Sequence, residues 1–531
     1  MKADRLGKIL LSRTARMILL LVISVACVSI VSAATYTVTK TADTNDTCSS
    51  VNCSLREAIA AANSTPDNDT INFNIPTNDP GCSGGVCTIT LNSSFGQLVI
   101  DSASISGTLT IRKSAATTQK IEISGNNATR VFLLNTGANL TINNVTVRNG
   151  RAFDGSGGIF NQGMLTMTNC TVSGNSGSNG GGILNFRGAT LTMTNCTVSG
   201  NSAGRFGGGI FNFGGATLTM TNCTVSGNSA PDGGGGIANG GTLNLNNSIV
   251  ANNSASSGGP DISGSVSSGD FNLIKDTSGI SGTLPGSNNI TGQDPKLAPL
   301  GDYGGLTKTH ALLLGSPALN AGNNSLALDQ NGNALTMDQR GAPRISGGTV
   351  DIGAYEQRVA VVTNTNDSGS GSLRNEATGS PFGGLITFNI SGCPGNVCVI
   401  TLSSQISITG AVIITNESST QRIEISGNNS VRVFQVNSGA NLTINNVTVR
   451  NGNAPDGGGI RNAGTLTMTN CTVSGNSAPG VGGGGILNFG GATLTMTNCT
   501  VSGNSAFGVG GGGILNFGTL TMTNCTVSGN S

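Results

Sequence analysis

The residues best able to do chemistry crowd into one stretch. Asp261, Asp270, Asp294, Asp302, Asp329, Asp338, Asp351 and Glu356 all lie within residues 261–357, and Arg340 and Arg344 lie near the last four. Clustered carboxyls beside Arg are what polysaccharide lyases and glycoside hydrolases use, for a divalent cation or for acid–base work. The acid–base case needs two carboxyls about 5–10 Å apart. The plainer reading is an ionic network that holds this stretch in place. Elsewhere the loop acids are Asp154, Asp232 and Asp456. Asp154 and Asp232 sit three repeats apart, roughly 14 Å at about 4.8 Å per coil. Asn179 and Arg205, not carboxylates, stand between them, so these read as solvated loop acids. His310 has no His or Cys neighbour in sequence. No catalytic, metal-ligating or cofactor-binding residue is assigned.

The 13 cysteines divide by context. Cys48 and Cys53, Cys82 and Cys87, and Cys393 and Cys398 are locally spaced pairs and disulfide candidates in an exported chain. Zinc would require two such pairs to converge. Cys170, Cys196, Cys223, Cys471, Cys499 and Cys525 recur within a repeat and read as a buried ladder of small core residues. The Asn-Cys-Thr sequon they form is discounted because the Cys points inward.

Compartment follows from the N-terminus. Lys2, Arg5, Lys8, Arg13 and Arg16 precede an apolar run from Met17 to Val31, and Val31-Ser32-Ala33 offers small residues for cleavage. This pattern predicts a signal peptide over 1–33 and secretion or cell-surface display. Cys27 leaves with it. At 15 residues the run is short for a membrane span, which needs about 20. Without residues 1–33 the chain holds 21 basic and 24 acidic residues, a net charge of −3. Nucleic acid is therefore a poor partner, and no second span is present. Gly is about 15% of the chain and charged residues 10%, which argues against an ordinary α/β enzyme.

These residues must be positioned by repeats. TLTMTNCTVSGNS occurs six times, ending at Ser176, Ser202, Ser229, Ser477, Ser505 and Ser531. The Cys spacings are 26 and 27, then 28 and 26. Within a unit Leu191 and Met193 alternate with Thr192 and Thr194, and Cys196 and Val198 alternate with Thr197 and Ser199. Asn195 bends the chain. Gly200-Asn201 and Gly207–Gly209 make turns, and Ile210-Phe211-Asn212 is a third strand. One unit cannot bury its apolar face, whereas stacked units can. The pattern predicts an all-β fold, a right-handed parallel β-helix of 24–28-residue, three-strand coils. Like residues would stack in ladders, and a buried Asn ladder would satisfy its own amides.

A larger duplication contains the solenoid. Ile121–Asn127 returns at Ile423–Asn429 and Ala138–Gly150 at Ala440–Gly452, both offset by 302. The predicted organisation is a signal peptide (1–33), an N-terminal cap (34–97), β-helix repeats (98–260) and a closing region (261–357). The start of a second copy (358–410) and a second β-helix (411–531) follow. The second copy stops in mid-repeat and is expected to continue in a longer polypeptide. Ser54-Leu55-Arg56-Glu57 fits a capping box and opens a short amphipathic helix suited to cover the open end. Ser372-Leu373-Arg374-Asn375 lacks the Glu and reads as a linker.

Val51–Ile59 resembles the CSLREA domain of exported β-helical proteins. Met337–Arg344 with Val350–Glu356 resembles the end of the choice-of-anchor Q region. The Gly-Gly-Gly-Ile clusters with Val-Ser-Gly-Asn are similar to repeats of chlamydial polymorphic outer-membrane proteins. The resemblance implies a bacterial surface or secreted protein with a pectate-lyase-like fold, and not lyase activity. The expected function is a non-catalytic scaffold for adhesion or for binding cell-envelope polysaccharide. The alternative is a carbohydrate-active enzyme with its site in 261–357 or downstream. Sequence leaves the oligomeric state open.

Overall fold

The computed structural model describes residues 33–101, 107–114, 118–313, 315–346, 348–378, 384–480, 482–507 and 510–531. The signal-like segment and Cys27 therefore fall outside the described residues, apart from Ala33.

Two parallel β-solenoids follow one another along the chain. In the first, sheet I has nine strands from Thr35–Val38 to Ser268–Asp270, sheet II has ten and sheet III has seven. A fourth, small sheet of two-residue strands (Ser176–Gly177, Ser202–Ala203, Ser229–Ala230, Ser254–Ala255) fills the corner between II and III. The second solenoid runs from Val359–Val362 to Thr526–Ser528, with corresponding sheets of seven, six, five and two strands. Each coil thus adds a short fourth strand to the three read from sequence.

Register follows from identity. Leu165 pairs with Leu191, Leu191 with Leu218, and Leu218 with Leu243. Val172, Val198, Val225 and Val250 form the matching column on sheet II. These residues are buried. Each fully buried Leu or Val contributes about 1.5–3 kcal/mol relative to exposure. The corner from sheet I to sheet II requires a left-handed backbone, which Asn tolerates best among side-chain-bearing residues. Asn169, Asn195, Asn222 and Asn247 have φ of 53°, 50°, 49° and 48°.

The buried amide ladder is carried by a different Asn, the one after the Gly turn. Asn175 Nδ2 donates to Asn201 Oδ1 at 2.9 Å, Asn201 to Asn228 at 2.9 Å, and Asn228 to Asn253 at 2.9 Å. Each Oδ1 also accepts the backbone N–H of the preceding rung's Asn, 3.0 Å for Asn175, Asn201 and Asn228 alike. A second ladder joins Asn161, Asn185, Asn212 and Asn239. The glycine clusters do more than turn the chain. Gly181, Gly182, Gly208 and Gly209 are buried. A Cβ on Gly182 would lie 2.6 Å from Gly209 O and 3.1 Å from Asn201 Nδ2. Glycine is there because neighbouring rungs press backbone against backbone.

The six repeat cysteines stack in two columns. Cys170 N–H donates to Cys196 Sγ and Cys196 N–H to Cys223 Sγ, both at 3.4 Å, and Ser248 Oγ takes the next place at 3.1 Å. Cys471, Cys499 and Cys525 repeat the pattern at 3.5 and 3.4 Å. All six are free thiols, and burial pushes the Cys170 and Cys196 thiols well above the usual range. Cys48–Cys53, Cys82–Cys87 and Cys393–Cys398 are disulfides.

The solenoid starts earlier than the cap boundary drawn at residue 97. Thr35–Val38 and Asp69–Phe73 are already rungs of sheet I, and Val86–Thr90 is a strand of sheet II. Helix α1 (Leu55–Ala62) is inserted between them, with the full capping box formed. Its Leu55, Ala58, Ile59 and Ala62 are buried in the first core. Glu57 is buried too. Burial alone would raise its pKa, but hydrogen bonds from Thr44, Ser54 and Asp46, with Lys40 nearby, hold it below the ordinary value. Helix α2 (Leu373–Thr378) corrects the linker reading of the second copy. Leu373 and Ala377 are buried in the second core. Arg374 pairs with Asp367 and donates to the Ser404 and Gln405 carbonyls, as Arg56 pairs with Asp43 and donates to the Phe95, Gly96 and Gln97 carbonyls. The Arg, not the Glu, is what keeps this cap.

Two outcomes follow. Asn201→Ala removes the acceptor of two Asn175 groups and a donor to Val172 O. It should cost about 2–4 kcal/mol in denaturant unfolding. Thiol labelling of the folded protein should leave Cys170, Cys196, Cys223, Cys471 and Cys499 unmodified, and all six repeat thiols should react after unfolding.

Candidate functional site

Residues 261–357 do two things. The first part, through Ile290–Thr291, adds rungs to the end of the solenoid. There Asp261 terminates the Asn ladder: its Oδ1 accepts Asn253 Nδ2 at 2.9 Å and its Oδ2 accepts Asp276 N–H at 2.8 Å. The rest turns back as a strap across sheet II. Asn247 exchanges hydrogen bonds with Asn323 at 2.9 and 2.8 Å. Ala354 N–H donates to Thr224 Oγ1 at 3.1 Å, and Asn195 Nδ2 donates to Met337 O at 2.9 Å. Thr309 Oγ1 and Gln339 Oε1 meet Thr197 Oγ1 at 2.9 and 2.6 Å. Gln339 Nε2 donates to Thr307, Lys308 and Thr171 at 2.9, 3.0 and 3.1 Å.

His310 belongs to this seam. Its Nδ1 lies 2.8 Å from Ala298 O and its Nε2 lies 2.9 Å from Ser199 Oγ. Nδ1 must be the donor, so Nε2 accepts from Ser199. Burial lowers its pKa.

The charged residues that could have formed an active site are folded against one another. Asp338 pairs with Arg340 at 2.7 Å and Arg344 with Glu356 at 2.8 Å, with side-chain exposures of 0–1%. Asp338 also accepts the Ala342 and Glu356 backbone N–H groups at 3.0 Å each. Arg344 donates to the Gly353 and Tyr355 carbonyls at 3.1 and 3.2 Å. The Arg340 guanidinium lies 3.7 Å from the Tyr355 ring centroid, and Tyr303 meets Tyr355 edge-on. Three carboxyls, those of Asp338, Asp351 and Glu356, thus face two guanidiniums. Burial, and then the Glu356 charge, push Asp351 up to about 7. Burial also raises Glu356, against the pull of Arg344. With Asp351 protonated the buried charge balances, the state a low dielectric favours.

The remaining candidates are separated. Asp270 accepts from Asn288, Asp294 pairs with Lys275 at 2.8 Å, Asp302 pairs with Lys120, and Asp329 caps its own turn through Asn331 and Asn333. Asp154 pairs with Arg130, Asp232 with Arg205 at 3.4 Å, and Asp456 with Arg432 and Arg461 at 2.5 and 3.3 Å. Among the described residues no three His, Cys, Asp or Glu side chains come together as a metal site, and no helix is long and apolar enough to cross a membrane.

Sequence reasoning missed an aromatic face. Phe160, Leu184 and Phe211 stack in register on the outer side of sheet III. Phe186 and Phe213 follow at the next corner. Ring centroids are 5.5 Å apart for Phe160 and Phe186, 5.0 Å for Phe186 and Phe213, and 5.5 Å for Phe211 and Phe213. The exposed Arg187 lies over Phe186 and Phe213 at 5.3 and 5.6 Å and has no carboxylate partner among the described residues. Arg130 covers Phe160 at 5.1 Å. In the second solenoid Arg461 lies 4.1 Å from the Phe489 ring. The signal was present: the middle residue of each Ile-x-Asn strand alternates with buried Ile and Asn, so it must point outward, and it is repeatedly large and apolar.

The buried pair makes a pH prediction. A carboxyl whose folded pKa is raised stabilises the fold fully below its unfolded value, near 4, and loses that contribution as pH rises through 7. Asp351→Asn should therefore gain on the native protein between about pH 4 and pH 7, at up to about 1.4 kcal/mol per pH unit, and run parallel above that. Chemical unfolding of both proteins at successive pH values reads the difference.

No curated protein matches this chain. Among solved structures it is similar to the PL6 family alginate lyase AlyGC, with a TM-score of 0.24 and 10% identity over 93% of this chain and 85% of that one. A mutant of the same lyase gives 0.23 and 11% over 83% and 78%. Likeness of this degree carries no argument about activity. The model of the right-handed β-helix region matches residues 77–267 and 384–531, which take in most rungs of both solenoids. On that match the chain belongs to the right-handed β-helix family.

Proposed function

We propose that this chain is an exported, non-catalytic bacterial scaffold that binds acidic polysaccharide along the aromatic face of sheet III. The observation that carries the reading is the stacked Phe160, Phe186 and Phe213 rings with Arg187 between them and unpaired. Aromatic faces pack against the C–H faces of pyranose rings, and a weakly hydrated, planar guanidinium suits a uronate carboxylate. Phe186 and Phe213 stack on successive coils, so two neighbouring sugars of an extended chain meet equivalent platforms. Export is supported by the basic and apolar pattern of residues 1–33 and by the resemblance to CSLREA and choice-of-anchor Q segments. The acids of 261–357 support the absence of catalysis, because they neutralise buried guanidiniums and cap turns.

Affinity electrophoresis in gels containing polyuronate or a neutral glucan tests this. Retardation by polyuronate, weakened about tenfold or more by Phe186→Ser with Phe213→Ser and reduced by Arg187→Gln and by salt, is the expected result. Shortened or unsaturated products would overturn the non-catalytic reading. Equal mobility in all gels would overturn the binding reading.

A further inference from the structure

Sheet I presents a second outer surface of different chemistry. Its central outward column reads Thr35, Thr70, Thr110, Thr141, Thr166, Thr192 and Thr219 on seven successive rungs, followed by Asn244 and Ser268. Flanking columns hold Thr190, Thr217 and Thr242 on one side and Thr168 on the other, where Thr194 and Thr221 continue the column but are buried. The second solenoid builds the same array: Thr465, Thr467 and Thr469 stack on Thr493, Thr495 and Thr497, and these on Thr519, Thr521 and Thr523. Thr443 extends the central column by one rung. No charged residue stands at an outward position of the rungs from Asn139 to Asn246 or from Asn441 to Thr523.

In the first solenoid duplication does not account for the whole column: the rungs at Thr35 and Thr70 share neither the TLTMT string nor its Leu and Met, and the rung at Thr110 shares only the Leu, yet all three keep Thr at this position. In the second solenoid the column holds Thr only from Thr443 onward, with Ile413 and Leu385 on the rungs before it. Strand propensity alone would admit Val or Ile equally. The hydroxyls are also unused. Among the described residues those of Thr141, Thr166, Thr190, Thr192 and Thr217, and of all nine in the second array, make no hydrogen bond to the protein, while Thr219 Oγ1 accepts only from Asn244 at 3.3 Å. β-Branching restricts χ1, and the alternating Leu and Met are buried at 0–1% through Met496. The hydroxyls and methyls are therefore held in a fixed lattice, about 4.8 Å between rungs and about 6.6 Å between alternate residues of a strand. A grid without charge has nothing to grip an ion. What it matches is a crystal, and the oxygen rows on the prism faces of hexagonal ice repeat at closely similar distances.

We propose that the threonine arrays of sheet I and its counterpart in the second solenoid bind ice. Water hydrogen-bonded to the fixed hydroxyls, and ordered around the methyls between them, already occupies lattice-like positions, so joining the crystal costs little further ordering. The array lies on a different sheet from the aromatic face, so the inference does not rest on polysaccharide binding.

The full chain, frozen slowly onto a cold finger, should be enriched in the ice over the melt, and it should shape single ice crystals and inhibit their recrystallisation. Thr192→Lys combined with Thr495→Lys places a hydrated charge in the centre of each array and should reduce incorporation to that of an excluded control protein. Thr192→Val with Thr495→Val keeps the β-branched shape and removes the hydroxyls. It should weaken recrystallisation inhibition even if the Lys variant folds poorly. The Phe186→Ser, Phe213→Ser protein should retain full ice incorporation. Exclusion of the native protein from ice, or unchanged incorporation and recrystallisation inhibition in the substituted arrays, would overturn the proposal.

Discussion

Everything in this molecule depends on one rung lying in register over the next. A coil of some 26 residues has no core of its own, and its inward Leu, Met, Val and Ile are covered only by their equivalents above and below. The same constraint governs polar groups. Asn201 accepts two N–H groups from Asn175 and donates to Val172 O and Asn228 Oδ1, so its whole hydrogen-bonding capacity is met by neighbouring coils. A slip of one residue would turn that amide and every apolar side chain to the wrong face. Buried Asn is thus a register device. Apolar neighbours tolerate small displacements, but a chain of amides loses several hydrogen bonds at once.

The strap shows what happens when an outer face is claimed by the chain itself. The strand Thr-Val-Ser occurs in both solenoids. In the first, Thr197 and Ser199 are buried with Val198, because Thr309, Gln339 and His310 lie over them. In the second, Thr472 and Ser474 flank buried Val473 and remain half-buried. Sequence is identical, so the difference is tertiary. The hydroxyls that look like a solvated face are hydrogen-bonding partners waiting for a strand or strap. The strap's charges serve its own folding, with Asp338, Arg340, Arg344 and Glu356 linking turns that have no sheet to hold them.

This division explains what was legible in the sequence. Strands, period, register, the Asn corners and the capping box all come from local spacing, and repetition multiplies each signal until chance is excluded. The course of the strap does not. Asn195 and Met337 are separated by 142 residues and Gln339 and Cys170 by 169, and neither pair carries a recurring pattern. Glycine runs read simply as turns because glycine is ambiguous: it serves an open turn and a close backbone approach equally, and only the neighbouring rung decides. The aromatic face was hidden for a related reason. Phe211 beside Ile210 looks like core until alternation assigns it outward.

On such a scaffold the outer columns are the surface free to meet a ligand. The interior is committed to stacking, and the acids that could have done chemistry are committed to the strap and to turns. What remains is a set of parallel columns in which any outward residue type, once placed, is repeated at the coil spacing. Such a surface is poorly suited to enclosing a small substrate and well suited to ligands that are themselves periodic. The sheet III column carries large apolar residues, Phe160, Leu184 and Phe211, and the sheet I column repeats a hydroxyl and a methyl, so the two faces differ in chemistry and share no residue. The second solenoid repeats the threonine column, whereas its outward column on the sheet corresponding to III reads Gln435, Arg461, Leu487 and Leu515. For a ligand that spans several rungs, each contact after the first is intramolecular, so weak individual contacts sum.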